Sequence, residues 1–141
     1  TAESCTGGLL SANITGIAGS SAVFSFGIIC YSNESKRKLL NVDDKTLKSH
    51  GAVSFETVRE MLAGLCTHAE SKTLTIAISG VAGPSGSESK PVGLVFIGVK
   101  ISSDNNEIIT KHNFGNIERK IIQQKSVHEA LKMSLNIIRE I

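Results

Sequence analysis

Eight residues at the head of the chain, Thr1-Ala2-Glu3-Ser4-Cys5-Thr6-Gly7-Gly8, crowd a carboxylate, hydroxyls, a thiol and two adjacent glycines against an apolar run, Leu9-Leu10-Ser11-Ala12-Asn13-Ile14. The apolar run reads as a helix. The glycine pair lacks Cβ atoms and lets the backbone turn sharply just ahead of it. A helix opening there aims its unpaired N–H groups back at the loop, which suits an oxyanion or a phosphate. Ser4 is then either a nucleophile or ligand contact facing those donors, or part of an ordinary N-terminal cap. The run starts at residue 1, so the sequence shows no strand ahead of the loop to position it.

Further along, hydrophobic spacing switches repeatedly between strand-like and helix-like. Residues 16–21 are turn-like, and 23–31 read as a buried strand with Phe24, Phe26, Ile28 and Ile29 as its bulk. Ser32 can cap a helix over 33–40, and Asp43-Asp44 a shorter one over 45–50 that closes at His50-Gly51. From Ser54, the residues Val58, Met61, Leu62, Leu65, Cys66 and Ala69 recur at three and four, one buried helical stripe, with Glu56 complementing the dipole in the first turn. Residues 74–79 form a short strand entering a second glycine loop, 80–86. Strands over 92–101 and 107–114, joined by the polar stretch 102–106, make an antiparallel hairpin. The longest helix runs from 117 to the end, with Ile121, Ile122, Leu131, Leu135 and Ile138 turned to the core. Helices alternating with strands, plus one hairpin, predict an α/β layered domain with a mixed sheet, and 141 residues bound it to a single domain over 1–141.

Composition removes several functions. A net charge of +2 and 4% aromatic residues argue against nucleic-acid binding. No apolar run approaches the ~18–20 residues of a membrane span, and no signal peptide opens the chain. Cys5, Cys30 and Cys66 are odd in number and widely spaced, as expected of reduced thiols in a cytoplasmic protein. The four histidines show no metal-ligand spacing, so no metal and no cofactor is expected.

Four places could carry chemistry. Tyr31 ends a strand and Lys36 begins a helix, on the rim where a layered α/β fold gathers its ligands, so Ser4, Tyr31 and Lys36 can converge. Lysine can activate serine only as the neutral amine, which requires a pKa well below its ordinary ~10.4. Burial beside a cation such as Arg119 would do this; otherwise Lys36 joins Arg37 and Lys38 on a solvated basic face. Cys5 beside the glycines is either an activated thiolate or a small buried side chain. Ser87-Glu88-Ser89-Lys90 matches S-x-x-K, but Pro91 and the preceding glycines oppose the helix that motif needs, leaving a loop that carries Lys90 to substrate. The 80–86 loop either cradles an anion or simply turns.

Read together, Ala2-Glu3-Ser4-Cys5-Thr6-Gly7-Gly8, Gly19-Ser20-Ser21-Ala22, Tyr31-Ser32-Asn33-Glu34-Ser35-Lys36, His50-Gly51-Ala52-Val53-Ser54, Ser79-Gly80-Val81-Ala82-Gly83-Pro84 and Lys90-Pro91-Val92-Gly93 follow one another in the order of the CinA family's C-terminal domain, which the chain resembles over nearly its whole length. The resemblance implies a three-layer α/β/α sandwich, here without the family's first helix and strand. It also implies hydrolysis of the carboxamide of nicotinamide mononucleotide to nicotinate mononucleotide and ammonia. By position, Ser4 is the nucleophile, Lys36 its general base and Tyr31 a hydroxyl that assists or orients Lys36. Thr6, Gly7, Gly8, Ser79, Gly80, Gly83 and Arg119 become substrate-binding residues, the first three as main-chain donors. A small nucleotide substrate and a homodimer are implied partners. The sequence departs from the family at Ile117-Glu118-Arg119, where a Gly-Asp-Arg stretch is usual, and at Gln123, which replaces a second arginine. A nucleotide-binding module that has lost catalysis, or a competence- or stress-related interaction domain, is the alternative.

Overall fold

The computed structural model describes residues 1–87 and 89–139. A five-stranded sheet of order β2-β1-β3-β4-β5 forms its middle layer. The strands are β1 (Ala2–Glu3), β2 (Ile28–Ile29), β3 (Leu74–Gly80), β4 (Leu94–Ile101) and β5 (Glu107–Asn113). β1 is parallel to both β2 and β3, whereas β4 and β5 continue the sheet antiparallel. The helices are α1 (Leu9–Thr15), α2 (Asn33–Leu40), α3 (Asp44–His50), α4 (Phe55–His68) and α5 (Arg119–Arg139).

Alternation along the central strands divides the core in two. Ala77 and Phe96 point to a cluster built from Leu40, Leu47, Val58, Met61, Leu62 and Leu65 of α2–α4. Ile76, Ile78, Val95, Ile97 and Val99 point the other way, to Leu10 of α1 and Ile122, Val127, Ala130, Met133 and Ile137 of α5. Covered on both faces, β3 and β4 are apolar almost throughout, as buried strands must be. The architecture is the α/β/α sandwich with a mixed sheet.

The connections explain where a site can form. From β1 the chain crosses through α1 outward to β2, then returns through α2–α4 past β1 to β3. Right-handed crossovers in opposite directions put their helices on opposite faces, so the strand order reverses at β1. The carboxyl ends of the three parallel strands, at Ser4, at Cys30-Tyr31 and at Ser79-Gly80, therefore border one crevice.

Three expectations need correction. A strand does precede the glycine loop: Ala2–Glu3 is β1, paired on both sides, and two residues are too few to leave a periodic trace in the sequence. The strand expected over 23–31 shrinks to Ile28–Ile29, because β1, its partner in the sheet, offers two residues. Its apolar residues alternate rather than bury throughout, and Val23 is 81% exposed. On α5, Ile121, Leu135 and Ile138 face outward. Small residues line the buried stripe instead: the Ser126 and Ser134 hydroxyls donate back to Ile122 O and Ala130 O at 2.7 Å, so the helix buries polar side chains without leaving them unpaired. Val23, Leu135 and Ile138 meet in an apolar groove of about 690 Å³.

α2, which carries Lys36, is seated by the close approach of Leu40 to Gly64 in the middle of α4. A Cβ at position 64 would fall 2.1 Å from Leu40 O. Alanine favours helix over glycine by only about 1 kcal/mol, and forcing a methyl into packed backbone costs about 1–3 kcal/mol or more. Gly64→Ala is therefore expected to destabilise the domain on balance, by roughly 1–2 kcal/mol, in urea denaturation. A neutral or stabilising outcome would contradict this packing.

Candidate active site

Lys36 is the largest fully buried side chain, with 1% of its surface exposed. The capping box between Ser32 and Ser35 fixes the start of α2 and thereby the turn on which Lys36 sits. Its Nζ lies 3.0 Å from Ser4 Oγ, 2.8 Å from Cys30 O and 3.5 Å from Tyr31 O. No carboxylate forms an ion pair with it among the described residues. Burial pushes its pKa below the ordinary lysine value. A neutral amine fits these three neighbours: two N–H groups donate to the carbonyls, and the lone pair accepts the Ser4 hydroxyl proton. Burial does the work expected of Arg119, which is engaged elsewhere.

The loop that presents Ser4 is held from three directions. The Ser4 amide donates to Ile78 O at 3.0 Å. The buried Glu3 carboxylate accepts from the amides of Gly8 (3.2 Å), Leu10 (2.9 Å) and Ser11 (2.8 Å) and from the Ser11 hydroxyl (2.8 Å). Gln123 Nε2 donates to Cys5 O at 2.9 Å. Gly7 and Gly8 turn through φ of 57° and 100°, as the glycine pair predicted. The helix N-terminus does face an anion, but that anion is the protein's own Glu3, at the end of β1. The Gly7 amide is also occupied, donating to Ser4 O at 3.0 Å.

Ser4, Tyr31, Lys36, Ser79, Gly80, Gly83 and Arg119 line one cavity of about 240 Å³ together with Ala52, Val53 and Ser87. Thr6, Gly7 and Gly8 do not line it. Gly7 and Gly8 have spent their N–H groups, and the Thr6 hydroxyl is buried without a partner among the described residues. The Ser79 hydroxyl donates to Ala52 O at 2.7 Å and so ties the loop after α3 to the cavity wall. Arg119, the first residue of α5, spans the mouth: its guanidinium donates to Gly83 O at 2.5 Å and to Tyr31 Oη at 2.9 Å. Both acceptors are uncharged, and the guanidinium forms no ion pair among the described residues. Cys5 also lines the cavity, but burial pushes its thiol up to about 12, so at neutral pH it is no thiolate nucleophile. Ser87 and Lys90 pair across a tight turn through two main-chain bonds, not on a helix; Glu88 of that S-x-x-K match lies outside the described residues.

Sequence reasoning passed over Glu3 and Gln123 as parts of the site. A carboxylate directly before a loop and a helix start was the available signal for Glu3. For Gln123 the signal was its place at the family's second arginine; its bond to Cys5, 118 residues away, left no local trace.

Comparison with known proteins places these features in a family. The CinA C-terminal domain matches residues 1–138. A CinA-like protein of Petrotoga mobilis is 43% identical over 140 residues, covering 99% of this chain and 34% of that protein. One of Chloroherpeton thalassium is 53% identical over 104 residues, 73% of this chain and 24% of that protein. The chain thus spans about a third or less of the length of the curated relatives it matches. The crystal structure of competence/damage inducible protein CihA from Agrobacterium tumefaciens superposes with a TM-score of 0.90 at 40% identity, over 96% of this chain and 81% of that one.

The buried amine has a signature in stability. Unfolded, Lys36 keeps its proton up to the ordinary value of 10.5; folded, it releases it earlier. Between those two points unfolding takes up a proton, so the Lys36 contribution to stability rises with pH and levels off above the unfolded value. Relative to Lys36→Met, the wild-type protein is expected to gain stability from neutral pH toward pH 10, by at most about 1.4 kcal/mol per unit, in denaturant titrations. A pH-independent difference would exclude a neutral amine.

Proposed function

This chain belongs to the CinA C-terminal domain family, and from that premise we propose that it hydrolyses the carboxamide of nicotinamide mononucleotide, releasing ammonia and nicotinate mononucleotide. The observation that carries the reading is the buried Lys36 amine 3.0 Å from the Ser4 hydroxyl, with no carboxylate paired to it among the described residues. Lysine in that state is a general base, and serine beside it a nucleophile.

The steps follow from the positions. Ser4 Oγ bonds to the carboxamide carbon while its proton passes to Lys36 Nζ. The resulting ammonium gives that proton to the departing nitrogen; the C–N bond breaks, ammonia leaves, and an ester on Ser4 remains. Water then adds to the ester carbon, its proton passing to Lys36, and the C–O bond to Ser4 breaks with return of the proton to Oγ. The product leaves as the carboxylate. The developing oxyanion needs donors that are still available, which excludes the amides of Gly7 and Gly8. Arg119 lines the same cavity and makes no ion pair among the described residues, and the amide of Cys5, also on its wall, donates to no main-chain acceptor among them. These two are the donors the reading assigns. Tyr31, held by Arg119, presents a hydroxyl at the mouth where the leaving nitrogen and the incoming water pass.

Because Ser4 and Lys36 act as one unit, their losses should not add. Ser4→Ala and Lys36→Ala are each expected to lower kcat for ammonia release by roughly 10⁴-fold or more, and the double variant by no more than the worse single one. Coupled-enzyme assay of ammonia checks this. Near-normal turnover in Ser4→Ala would refute the mechanism, and absence of turnover in the wild-type protein would refute the activity.

A further inference from the structure

α5 sends two side chains to the site from one face. Arg119 and Gln123 are four positions apart and therefore neighbours along the helix. Arg119 bridges the mouth of the cavity. Gln123, one turn further along, reaches the loop that bears Ser4, where its Nε2 donates to Cys5 O at 2.9 Å. The loop itself explains why that carbonyl needs a side chain. Ser4 O accepts the Gly7 amide at 3.0 Å, and Thr6 O accepts the Leu9 amide at 3.0 Å. The Cys5 carbonyl between them is passed over by the main chain, and Gln123 is its one partner among the described residues. Cys5 is buried, and a buried carbonyl left unpaired is costly. The middle peptide of a four-residue turn is the one whose orientation separates one turn type from another. In the turn from Ser4 to Gly7 that peptide joins Cys5 to Thr6, and its carbonyl is the group Gln123 holds. The peptide before it ends in the Cys5 amide. Both meet at the Cys5 Cα, so fixing the carbonyl on one side limits how far the N–H on the other can swing.

Resting on the carboxamide-hydrolase reading, we propose that Gln123 is a positioning residue of the reaction: its bond to Cys5 O keeps the Cys5 amide aimed at the carboxamide oxygen as that oxygen becomes an oxyanion. Gln123 does not line the Ser4 cavity, so it acts through Cys5 and not on the substrate. The side chain suits the task. A carboxylate at this position could not donate to the carbonyl, and it would draw Arg119, one turn away, from Gly83 and Tyr31. An apolar side chain would leave the carbonyl without a donor. Glutamine does neither. One face of α5 thereby sets both oxyanion donors, Arg119 directly and the Cys5 amide through Gln123. A donor aimed at the oxyanion gains most once charge has developed, so its misdirection falls on the transition state and spares ground-state binding.

The test replaces Gln123 with methionine, which keeps its length, and with alanine, which keeps the helix; neither can donate. Gln124→Met is the matched control, one position along on the exposed face of α5. With nicotinamide mononucleotide, both Gln123 variants are expected to lower kcat roughly tenfold to a hundredfold with KM nearly kept, while Gln124→Met stays at the wild-type rate. A tetrahedral mimic separates positioning from general damage to the fold. Pyridine-3-boronic acid adds to Ser4 Oγ: the B–O bond forms, the Ser4 proton passes to Lys36, and boron becomes a tetrahedral anion with an oxygen where the oxyanion develops. Its affinity, followed by calorimetry and boron NMR, should fall by the same factor as kcat. Unchanged kcat in the Gln123 variants, a loss confined to KM, an equal loss in Gln124→Met, or a boronate affinity that does not follow kcat would overturn the proposal. Should the wild-type protein not turn over the nucleotide, the hydrolase reading fails, and the boronate alone decides the role of Gln123. Weaker adducts in both Gln123 variants but not in Gln124→Met sustain it; unchanged adducts, or none on the wild-type protein, remove it.

Discussion

A lysine amine enclosed by protein, with no acid paired to it among the described residues, is the constraint from which the rest of this structure follows. An ammonium ion in such a place would sacrifice its hydration without an opposing charge in return. The neutral amine avoids that cost and gains two carbonyl acceptors and one hydroxyl donor. Everything that seals Lys36 from water therefore also tunes it: the capping box that starts α2, the close seating of Leu40 on Gly64, and the segment just after β2 whose carbonyls at Cys30 and Tyr31 reach the amine. Packing and basicity are the same variable here.

A buried base is useful only if the hydroxyl it serves stays in place, and the Glu3 carboxylate is the device for that. It uses four bonds to bind the start of α1 to the end of β1, while its own carbonyl accepts the Cys30 amide of the neighbouring chain segment at 2.9 Å. One residue thus joins the segment bearing Ser4 to the segment whose carbonyl receives Lys36. Its negative charge is offset by the partial positive charge of the helix end rather than by a cation. That arrangement leaves Lys36 without a competing carboxylate. Had Glu3 reached the lysine instead, an ion pair would have fixed the amine in its protonated form.

Layering, the mixed sheet, the hairpin, the caps at Ser32, Asp43 and Ser54, and the convergence of Ser4, Tyr31 and Lys36 were legible in the chain, because each leaves a local trace in periodicity, capping chemistry or motif order. What was not legible depended on partners distant in sequence. The length of β2 is set by β1, and nothing within 23–31 reports that β1 has only two residues. The outward turn of Leu135 and Ile138 follows from the small serines and alanine that let α5 lie close to the sheet, a choice that apolarity alone reverses. The donors expected at Gly7 and Gly8 were a sound inference from a glycine turn before a helix. They were already occupied because the carboxylate that satisfies them sits at the end of the preceding strand, in a segment too short to announce itself.

The distribution of charge then orders the cavity at Ser4 and the larger one, of about 590 Å³, that shares its wall of Ala52, Val53 and Ser87. Glu3 is consumed inside the fold, burial holds Lys36 at the base of the first cavity below the ordinary lysine value, and Arg119 and Lys90 are cations, one at the mouth and one beyond the shared wall. In the proposed substrate the group that must reach Ser4 is an uncharged carboxamide, carried on a pyridinium ring whose positive charge is fixed by its bond to the ribose. Under the proposed reaction that lack of charge has a further consequence. Hydrolysis converts the carboxamide into a carboxylate within a space whose base excludes water and holds an amine free to take up a proton. The end that reacted is then a zwitterion of pyridinium and carboxylate, and the carboxylate beside the amine favours the protonated form of Lys36. The same burial that keeps the base neutral for attack therefore makes departure of the carboxylate, rather than entry of the amide, the step that tests how open the mouth between Tyr31 and Gly83 can be.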